Sequence, residues 1–382
     1  MNDPSPLHES FAAHDTAANG EPIILSLADP IPAEGKVNGY VRVPYSTDLS
    51  AYGFIALPIV VIANGEGPTV LLLAGSHGDE FEGQVALGRL ARTLMPADVT
   101  GRVIIMPTAN APAAREGKRN SPIDGYNLNR IYPGDVRGSP TSMIANYIER
   151  HLMAESDIVL DLHSGGRSLR YQPCATLMDH PDPVERSRRL AIAIAFGAPA
   201  VLVSHGYEER NSSGAAKRAG ATRIGTEIGG GAGLDVRLVD LTYDGVVNVL
   251  RWSGVLPADP AAEARPDVVP VYDVIPERDY LYALSDGVFE PRAQLGETVR
   301  AGDLAGLLHD PSRPWTTPQE IRFKSDGLVV CQRVPGLSAR GDCLFHLASE
   351  FVERYPNEIA KAAASTWVKD LFKRRRPRVK RR

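Results

Sequence analysis

From residue 36 to 74 the chain passes through short apolar stretches, GYVRVPY, GFIALPIVVIA and TVLLLA, each broken by Gly or Pro. Such runs predict successive strands. GQVALGRLARTLM at 83–95 then has helical spacing, and RVIIMPTA at 102–109 predicts another buried strand. Helical periodicity returns in SPTSMIANYIERHLMAE at 139–155, ahead of a strand in DIVLDLH at 157–163. ERSRRLAIAIAFG, AVLVSHG, a helix near 213–219 and TRIGTEIGG carry the alternation to about residue 230, and DVRLVDLTYDGVVNVLRWSGV at 235–255 reads as a closing helix. Strands alternating with helices predict an α/β domain with a largely parallel sheet, whose ligand sites gather beyond the carboxyl ends of the strands.

The pattern changes after ADPAAEARPD at 258–267, which reads as a linker. Residues 268–348 hold short β-rich pieces with Gly-centred turns, and DGVFEPRAQLGETVRAGDLAGLL is echoed by DGLVVCQRVPGLSARGDCLFHL. This internal repeat resembles the two halves of a biotinyl/lipoyl-like barrel. The hairpin between the halves, DPSRPWTTPQE, lacks the lysine that would carry such a cofactor, so a structural or substrate-shaping β-domain is expected. The first 20 residues are polar and unpatterned, which predicts disorder. NEIAKAAASTWVKDLF at 357–372 predicts a last helix before a basic tail.

Composition narrows the function classes. Apolar residues make up 43% and charged residues 23%, as in a soluble globular protein. No apolar run approaches the roughly 20 residues of a membrane helix, and the polar start has no signal-peptide architecture, so a cytoplasmic protein without membrane partners is expected. Cys174, Cys331 and Cys343 are too few and scattered for a disulfide framework or a cysteine-based zinc site, leaving His and carboxylate to hold any metal. The tail KRRRPRVKRR carries eight of the positive charges, so the net charge of −4 conceals a body near −12, unsuited to nucleic acid. The tail itself reads as a solvated terminus.

The candidate chemistry lies at strand ends. GSHGDEFEG follows TVLLLA directly and places His77 and Glu80 three apart, a short-range metal-ligand spacing. His163 closes the strand DIVLDLH and runs into glycines, and Glu227 in GTEIGGG repeats that context a third time. One parallel sheet would bring these ends together. Two histidines and a glutamate form the ligand set of an open catalytic zinc site, and Glu227 could move protons there. Asp161 could orient a ligand histidine, or be paired or capping. Asp79 and Glu82 read as loop or supporting groups. The polar stretch REGKRNSPIDGYNLNRIYPG at 115–134 gathers Arg115, Lys118, Arg119 and Arg130 without apolar periodicity, a loop suited to a carboxylate or a polarised carbonyl.

HGDE at 77–80, NLNRIYPG at 127–134, DLHSGG at 161–166 and TEIGGG at 226–231 occur in the order and at roughly the spacing of the succinylglutamate desuccinylase/aspartoacylase family, which the chain resembles over about residues 40–350. The resemblance implies a zinc carboxypeptidase-like fold with a mixed, largely parallel sheet flanked by helices and a smaller C-terminal β-barrel-like domain. It implies one zinc ion per chain held by His77, Glu80 and His163, with Glu227 as general base and proton shuttle. It also implies Arg130 as a catalytic and substrate-binding group, with Asn129, Arg119 and Asn110 in the substrate pocket. Aspartoacylases commonly carry DLNR where this chain has NLNR, so a bond or charge that helps place the arginine is altered at Asn127. VPYSTDLSAYGFIALPIVVIANGEGPTVLLLAGSHGDEFEG, SPIDGYNLNR and TEIGGGAG look like the ectoine-degradation branch, whose members deacetylate Nα-acetyl-L-2,4-diaminobutyrate.

The expected organisation is a disordered N-terminus (1–20), a zinc hydrolase domain (21–257), a linker (258–267), the β-domain (268–350), and a C-terminal helix with the basic tail (351–382). The expected function is hydrolysis of the amide bond of a small N-acyl amino acid; homo-oligomer formation is left open. An aspartoacylase- or desuccinylase-type deacylase, or a carboxypeptidase of other specificity, stands beside it. A non-catalytic binding protein using the basic tail is the alternative of another class.

Overall fold

The computed structural model describes residues 22–206, 209–259 and 269–350. The N-terminal segment, most of the expected linker, the last expected helix and the basic tail lie outside these residues. The strands are β1 (Ile23–Ser26), β2 (Gly35–Pro44), β3 (Phe54–Asn64), β4 (Thr69–Ala74), β5 (Gly101–Met106), β6 (Ile158–His163), β7 (Leu169–Met178), β8 (Ala200–Ser204), β9 (Thr222–Gly230) and β10 (Val271–Val274). After them come β11 (Tyr280–Tyr282), β12 (Gly287–Pro291), β13 (Thr298–Val299), β14 (Leu304–His309), β15 (Gln319–Arg322), β16 (Gly327–Arg333), β17 (Leu337–Ser338) and β18 (Cys343–Glu350). The helices are α1 (Phe81–Thr93), α2 (Ala111–Glu116), α3 (Pro140–Tyr147), α4 (Pro183–Phe196), α5 (Ser212–Ala219), α6 (Val236–Trp252) and α7 (Pro276–Asp279).

Every residue of β4 is buried, and strand alternation divides it between two cores. Val70, Leu72 and Ala74 face a cluster completed by Leu87 of α1, Ile192 and Phe196 of α4, and Val246 and Val249 of α6. Leu71 and Leu73 face the opposite cluster, with Ile144 and Tyr147 of α3 and Ala215 and Ala216 of α5. Helices on both faces explain why the strand is apolar throughout. Truncating Leu72 to Ala would open a cavity costing about 2–5 kcal/mol.

The main sheet has 14 strands in the order β1-β2-β3-β5-β4-β6-β9-β7-β8-β10-β18-β16-β13, with β11 on β18. Its centre is parallel: β4 pairs with β5 and β6, and β6 pairs with β9. The carboxyl ends of β4, β6 and β9 are therefore neighbours. On either side antiparallel pairs enter, β3 against β5 and β7 against β9. The result is a mixed α/β fold.

Two local differences from the apolar pattern have physical causes. No strand is predicted over 169–178, where Arg170, Gln172 and Pro173 interrupt the pattern, yet β7 forms there between β9 and β8. Pro173 sits where the ladder to β9 shifts, between Tyr171 and Cys174, so its missing N–H falls at an irregularity. The helix expected over 139–155 is regular only to Tyr147, then widens into a π turn over Ile148–Leu152 and tightens over Met153–Glu155.

Beyond residue 268, β10 continues the sheet in parallel with β8, and β18 and β16 follow antiparallel. β16 also pairs with β7. A second sheet, β15-β14-β12-β17, accompanies these strands, and Phe289, Val299, Leu344 and Phe345 share a core of their own.

Candidate metal centre and active site

The chain leaves β4 through Gly75, whose left-handed φ of 64° turns it sharply beside Thr108, where a Cβ would lie 2.9 Å from the Thr108 Cα. Five residues later Glu80 occupies the N-cap position of α1, but its side chain makes no capping bond. It turns to the histidines instead: Oε1 lies 2.6 Å from His77 Nδ1 and Oε2 lies 2.8 Å from His163 Nδ1. One donor atom from each of His77, Glu80 and His163 falls within a 4.8 Å span, and all three side chains are buried. Burial works against ionisation of Glu80, but the two histidines overcome it and hold the carboxyl well below the usual carboxylate range.

The outer nitrogens test whether this group suits a metal. His163 Nε2 lies 2.9 Å from Asp161 Oδ2, and His77 Nε2 lies 3.1 Å from Asn127 Oδ1. Each Nε2–H can donate outward, which leaves each Nδ1 lone pair for an ion; oxygen partners behind ligand histidines are the usual support of a metal site. Asp161 is itself held by Arg223 Nη2 at 2.9 Å, Ser212 Oγ at 2.5 Å and Ser76 Oγ at 3.3 Å. The donor set fits zinc, which takes imidazole and carboxylate ligands with an open position.

Glu227 reaches the same place from β9, where it is the direct register partner of His163 on β6. Its Oε2 is buried and without a hydrogen-bond partner among the described residues. Burial, then the charge of Glu80, push its carboxyl up to about 8. A half-buried carboxyl that resists ionisation next to a metal-ligand cluster is suited to accept and return a proton near neutral pH. Gly229 and Gly230 follow with φ of 80° and 111°, and a Cβ on Gly230 would collide with the Leu169 carbonyl. The glycine run therefore folds the end of β9 tightly against the start of β7.

Residues 66–253 match the succinylglutamate desuccinylase/aspartoacylase catalytic domain. An N-alpha-acetyl-L-2,4-diaminobutyric acid deacetylase of Halomonas elongata is 39% identical over 323 residues, covering 84% of this chain and 93% of its own length. The chain belongs to the succinylglutamate desuccinylase/aspartoacylase family. It is an amide-bond hydrolase. A succinylglutamate desuccinylase/aspartoacylase of Rhodobacter sphaeroides superposes with a TM-score of 0.81 at 37% identity, over 85% of this chain and 99% of that one. The product-bound ectoine utilization protein EutE (DoeB) of Ruegeria pomeroyi superposes at 0.79 with 36% identity, over 84% and 98%.

In this family member the residues expected on the substrate side do not all stand alike. The Arg119 guanidinium is nearest the cluster, with Nη1 3.4 Å from His77 Nδ1 and 3.5 Å from Glu80 Oε1. Asn129 is buried, with Nδ2 3.3 Å from His163 Nε2 and Oδ1 accepting from the Ser212 N–H at 2.8 Å. Arg130 is exposed, and its Nη1 donates to the Asn129 carbonyl at 2.8 Å. Asn110 caps α2 through Oδ1, and its buried Nδ2 has no partner among the described residues. Asn127 backs His77 and accepts from the Asn129 N–H at 2.9 Å, so it bonds to a ligand histidine and not to the Arg130 side chain. Asp79 Oδ2 accepts from the Arg167 N–H, and Glu82 is buried where a Cβ on Gly229 would touch it.

Sequence reasoning missed Ser212 and Arg223. The signal for Arg223 was present, as a lone charge inside the apolar strand TRIGTE, which needs a buried partner. Ser212 carries no comparable signal, since it opens α5, 51 residues from the Asp161 it meets.

Proposed function

We propose that this amide-bond hydrolase holds one zinc ion through His77, Glu80 and His163 and removes the acetyl group from Nα-acetyl-L-2,4-diaminobutyrate, as a cytoplasmic step in ectoine degradation. The observation that carries the mechanism is the partnerless Glu227 Oε2 beside the His163–Glu80 pair. The substrate reading is supported by the Halomonas deacetylase, which shares 39% identity across 93% of its length, and by the EutE (DoeB) neighbour.

A zinc ion bound there would supply Lewis acidity, activating water and polarising the acyl carbonyl. Glu227 takes a proton from the attacking water as its oxygen bonds to the carbonyl carbon. Arg119, the guanidinium nearest the cluster, is placed to stabilise the charge on the carbonyl oxygen. When the carbon–nitrogen bond breaks, Glu227 returns the proton to the leaving nitrogen, so amide and water become acetate and a free amine. Arg130 is exposed, and its fork is assigned the substrate carboxylate, with Asn129 and Asn110 assigned to the same substrate pocket. The β-domain is assigned the narrowing of the cleft to small substrates.

The test is acetate release by the zinc-supplied protein from Nα-acetyl-L-2,4-diaminobutyrate, beside its Nγ-acetyl isomer, N-acetylaspartate, succinylglutamate and short peptides. Release from the first at a kcat/KM at least tenfold above the others supports the reading. Preferential cleavage of N-acetylaspartate or succinylglutamate would redirect it within the family, and preferential peptide cleavage would make the chain a carboxypeptidase.

A further inference from the structure

A row of polar side chains leads away from Glu227 across the sheet and into the strands beyond residue 268. Residues directly paired on neighbouring strands point to the same face. Glu227 of β9 pairs with Cys174 of β7, whose thiol donates to the Glu227 carbonyl at 3.6 Å. Tyr171 pairs with Gly229, because the ladder shifts between Tyr171 and Cys174. From Tyr171 the row continues through Cys331 of β16 and His346 of β18 to Tyr280 of β11, each paired with the next.

Tyr171 is therefore the diagonal neighbour of Glu227, and Gly229, which stands opposite it, is two residues beyond Glu227. Diagonal positions on paired strands lie about 7–8 Å apart, within reach of an aromatic side chain. The phenol is engaged elsewhere: its oxygen lies 3.0 Å from His346 Nδ1. His346 is buried and stacks on Tyr280, with ring centroids 3.8 Å apart and planes 3° from parallel. Burial pushes the imidazole down to about 3, so it is neutral and Nδ1 can accept the phenol proton. Burial, then Cys331 and the charge of Glu227, raise the Tyr171 hydroxyl well above its ordinary range. A phenol thus stands on the strand beside Glu227, whose buried Oε2 has no hydrogen-bond partner among the described residues.

We propose, on the assignment of proton transfer to Glu227, that His346 is a positioning residue of the hydrolase: it accepts the Tyr171 phenol and so withholds from Glu227 a hydrogen bond that would weaken it as a base. A hydrogen bond to a carboxylate favours its charged form, and a carboxylate so satisfied is a poorer proton acceptor. Without His346 the phenol needs another acceptor. Cys331, paired with Tyr171, offers a thiol, which accepts weakly; Glu227 offers a carboxylate, which accepts strongly. Tyr171 takes no part in the reaction while His346 holds it. Through β18 the β-domain thereby acts on the proton-transfer group itself.

Kinetics of zinc-supplied variants, on the substrate that wild type cleaves fastest, test this. His346→Leu removes the acceptor and should lower kcat by about 10- to 100-fold with KM near wild type, the range spanned by a hydrogen bond to a charged group. His346→Asn returns an acceptor oxygen close to the position of Nδ1 and should recover most of that loss. Tyr171→Phe added to His346→Leu removes the freed phenol and should recover it as well. A packing role predicts the opposite order, since leucine suits a buried site better than asparagine. Melting temperatures check folding, and if His346→Leu does not fold, His346→Phe, which keeps a ring on Tyr280, replaces it. A crystal structure of the acceptor-less variant should show the Tyr171 hydroxyl within about 3 Å of a Glu227 carboxylate oxygen. Wild-type kcat in that variant, no recovery on adding Tyr171→Phe, or a phenol that stays away from Glu227 in the crystal would each overturn the proposal. Glu227→Gln assayed alongside separates the two assignments. Wild-type turnover in Glu227→Gln would overturn the role of Glu227 and this proposal with it, whereas an inactive Glu227→Gln beside any of those three results would overturn the withheld hydrogen bond alone.

Discussion

The two histidines of the candidate metal cluster are supported in opposite ways. Behind His163 stands Asp161, wholly buried and fastened by Arg223, Ser212 and Ser76 in the centre of the sheet. Burial works against its ionisation, but His163 and Arg223 overcome it and hold the carboxyl far below the usual range. Behind His77 stands the neutral amide of Asn127, half-buried in a loop whose next residues are Leu128, Asn129 and Arg130. One ligand is thus anchored to the core by charge, and the other is tied to the loop assigned to the substrate. On this account His163 dominates metal retention, and His77 is the adjustable side of the site.

The largest expected effect comes from removing the charge on the anchored side. Asp161→Asn leaves Arg223 buried without a counter-charge, and losing one partner of a buried pair costs about 3–5 kcal/mol. Chelator competition should show zinc affinity lower by about 100-fold, at the upper end for a group behind a ligand histidine. Asn127→Ala should cost about tenfold in affinity, with a melting temperature close to wild type. Equal losses in both variants would erase the comparison. Asn127→Asp sharpens it, because a carboxylate behind His77 makes that ligand more basic, and zinc should be retained severalfold more tightly than in wild type. Unchanged retention would mean that the charge behind the histidine is not what distinguishes the two sides.

The smallest effect concerns Glu227. Its folded pKa is raised from the ordinary carboxylate range to about 8, so the folded state keeps a proton that the unfolded chain has already lost. That contribution to stability is fully present below the unfolded value and is lost as pH rises through about 8. In metal-free protein Glu227→Gln should therefore melt higher than wild type at pH 9 and near it at pH 4, and equal melting at both pH values would refute the shift. The same titration predicts a kcat/KM that rises with pH as Glu227 becomes the base, on an acidic limb shifted downward by a bound cation.

Much of the site was legible because three residues share one context. His77, His163 and Glu227 each end an apolar run and lead into glycines, and the structure places those runs side by side as β4, β6 and β9. Legibility fails where contacts are long-range. Nothing near Asp161 names Ser212 or Arg223, which arrive 51 and 62 residues later. Asn110 has a structural task that its sequence context does not announce, since its Oδ1 caps α2 where the chain starts a helix soon after β5. β7 escaped notice because neighbours on both sides hold a strand that its own sequence does not favour.

Zinc content by elemental analysis, together with acetate release from Nα-acetyl-L-2,4-diaminobutyrate, for wild type and Glu227→Gln, tests the central claim most directly. The account predicts zinc at the His77–Glu80–His163 group in both proteins and acetate from wild type alone. A folded, zinc-supplied wild type that holds no metal, or a Glu227→Gln variant that releases acetate at the wild-type rate, would contradict it.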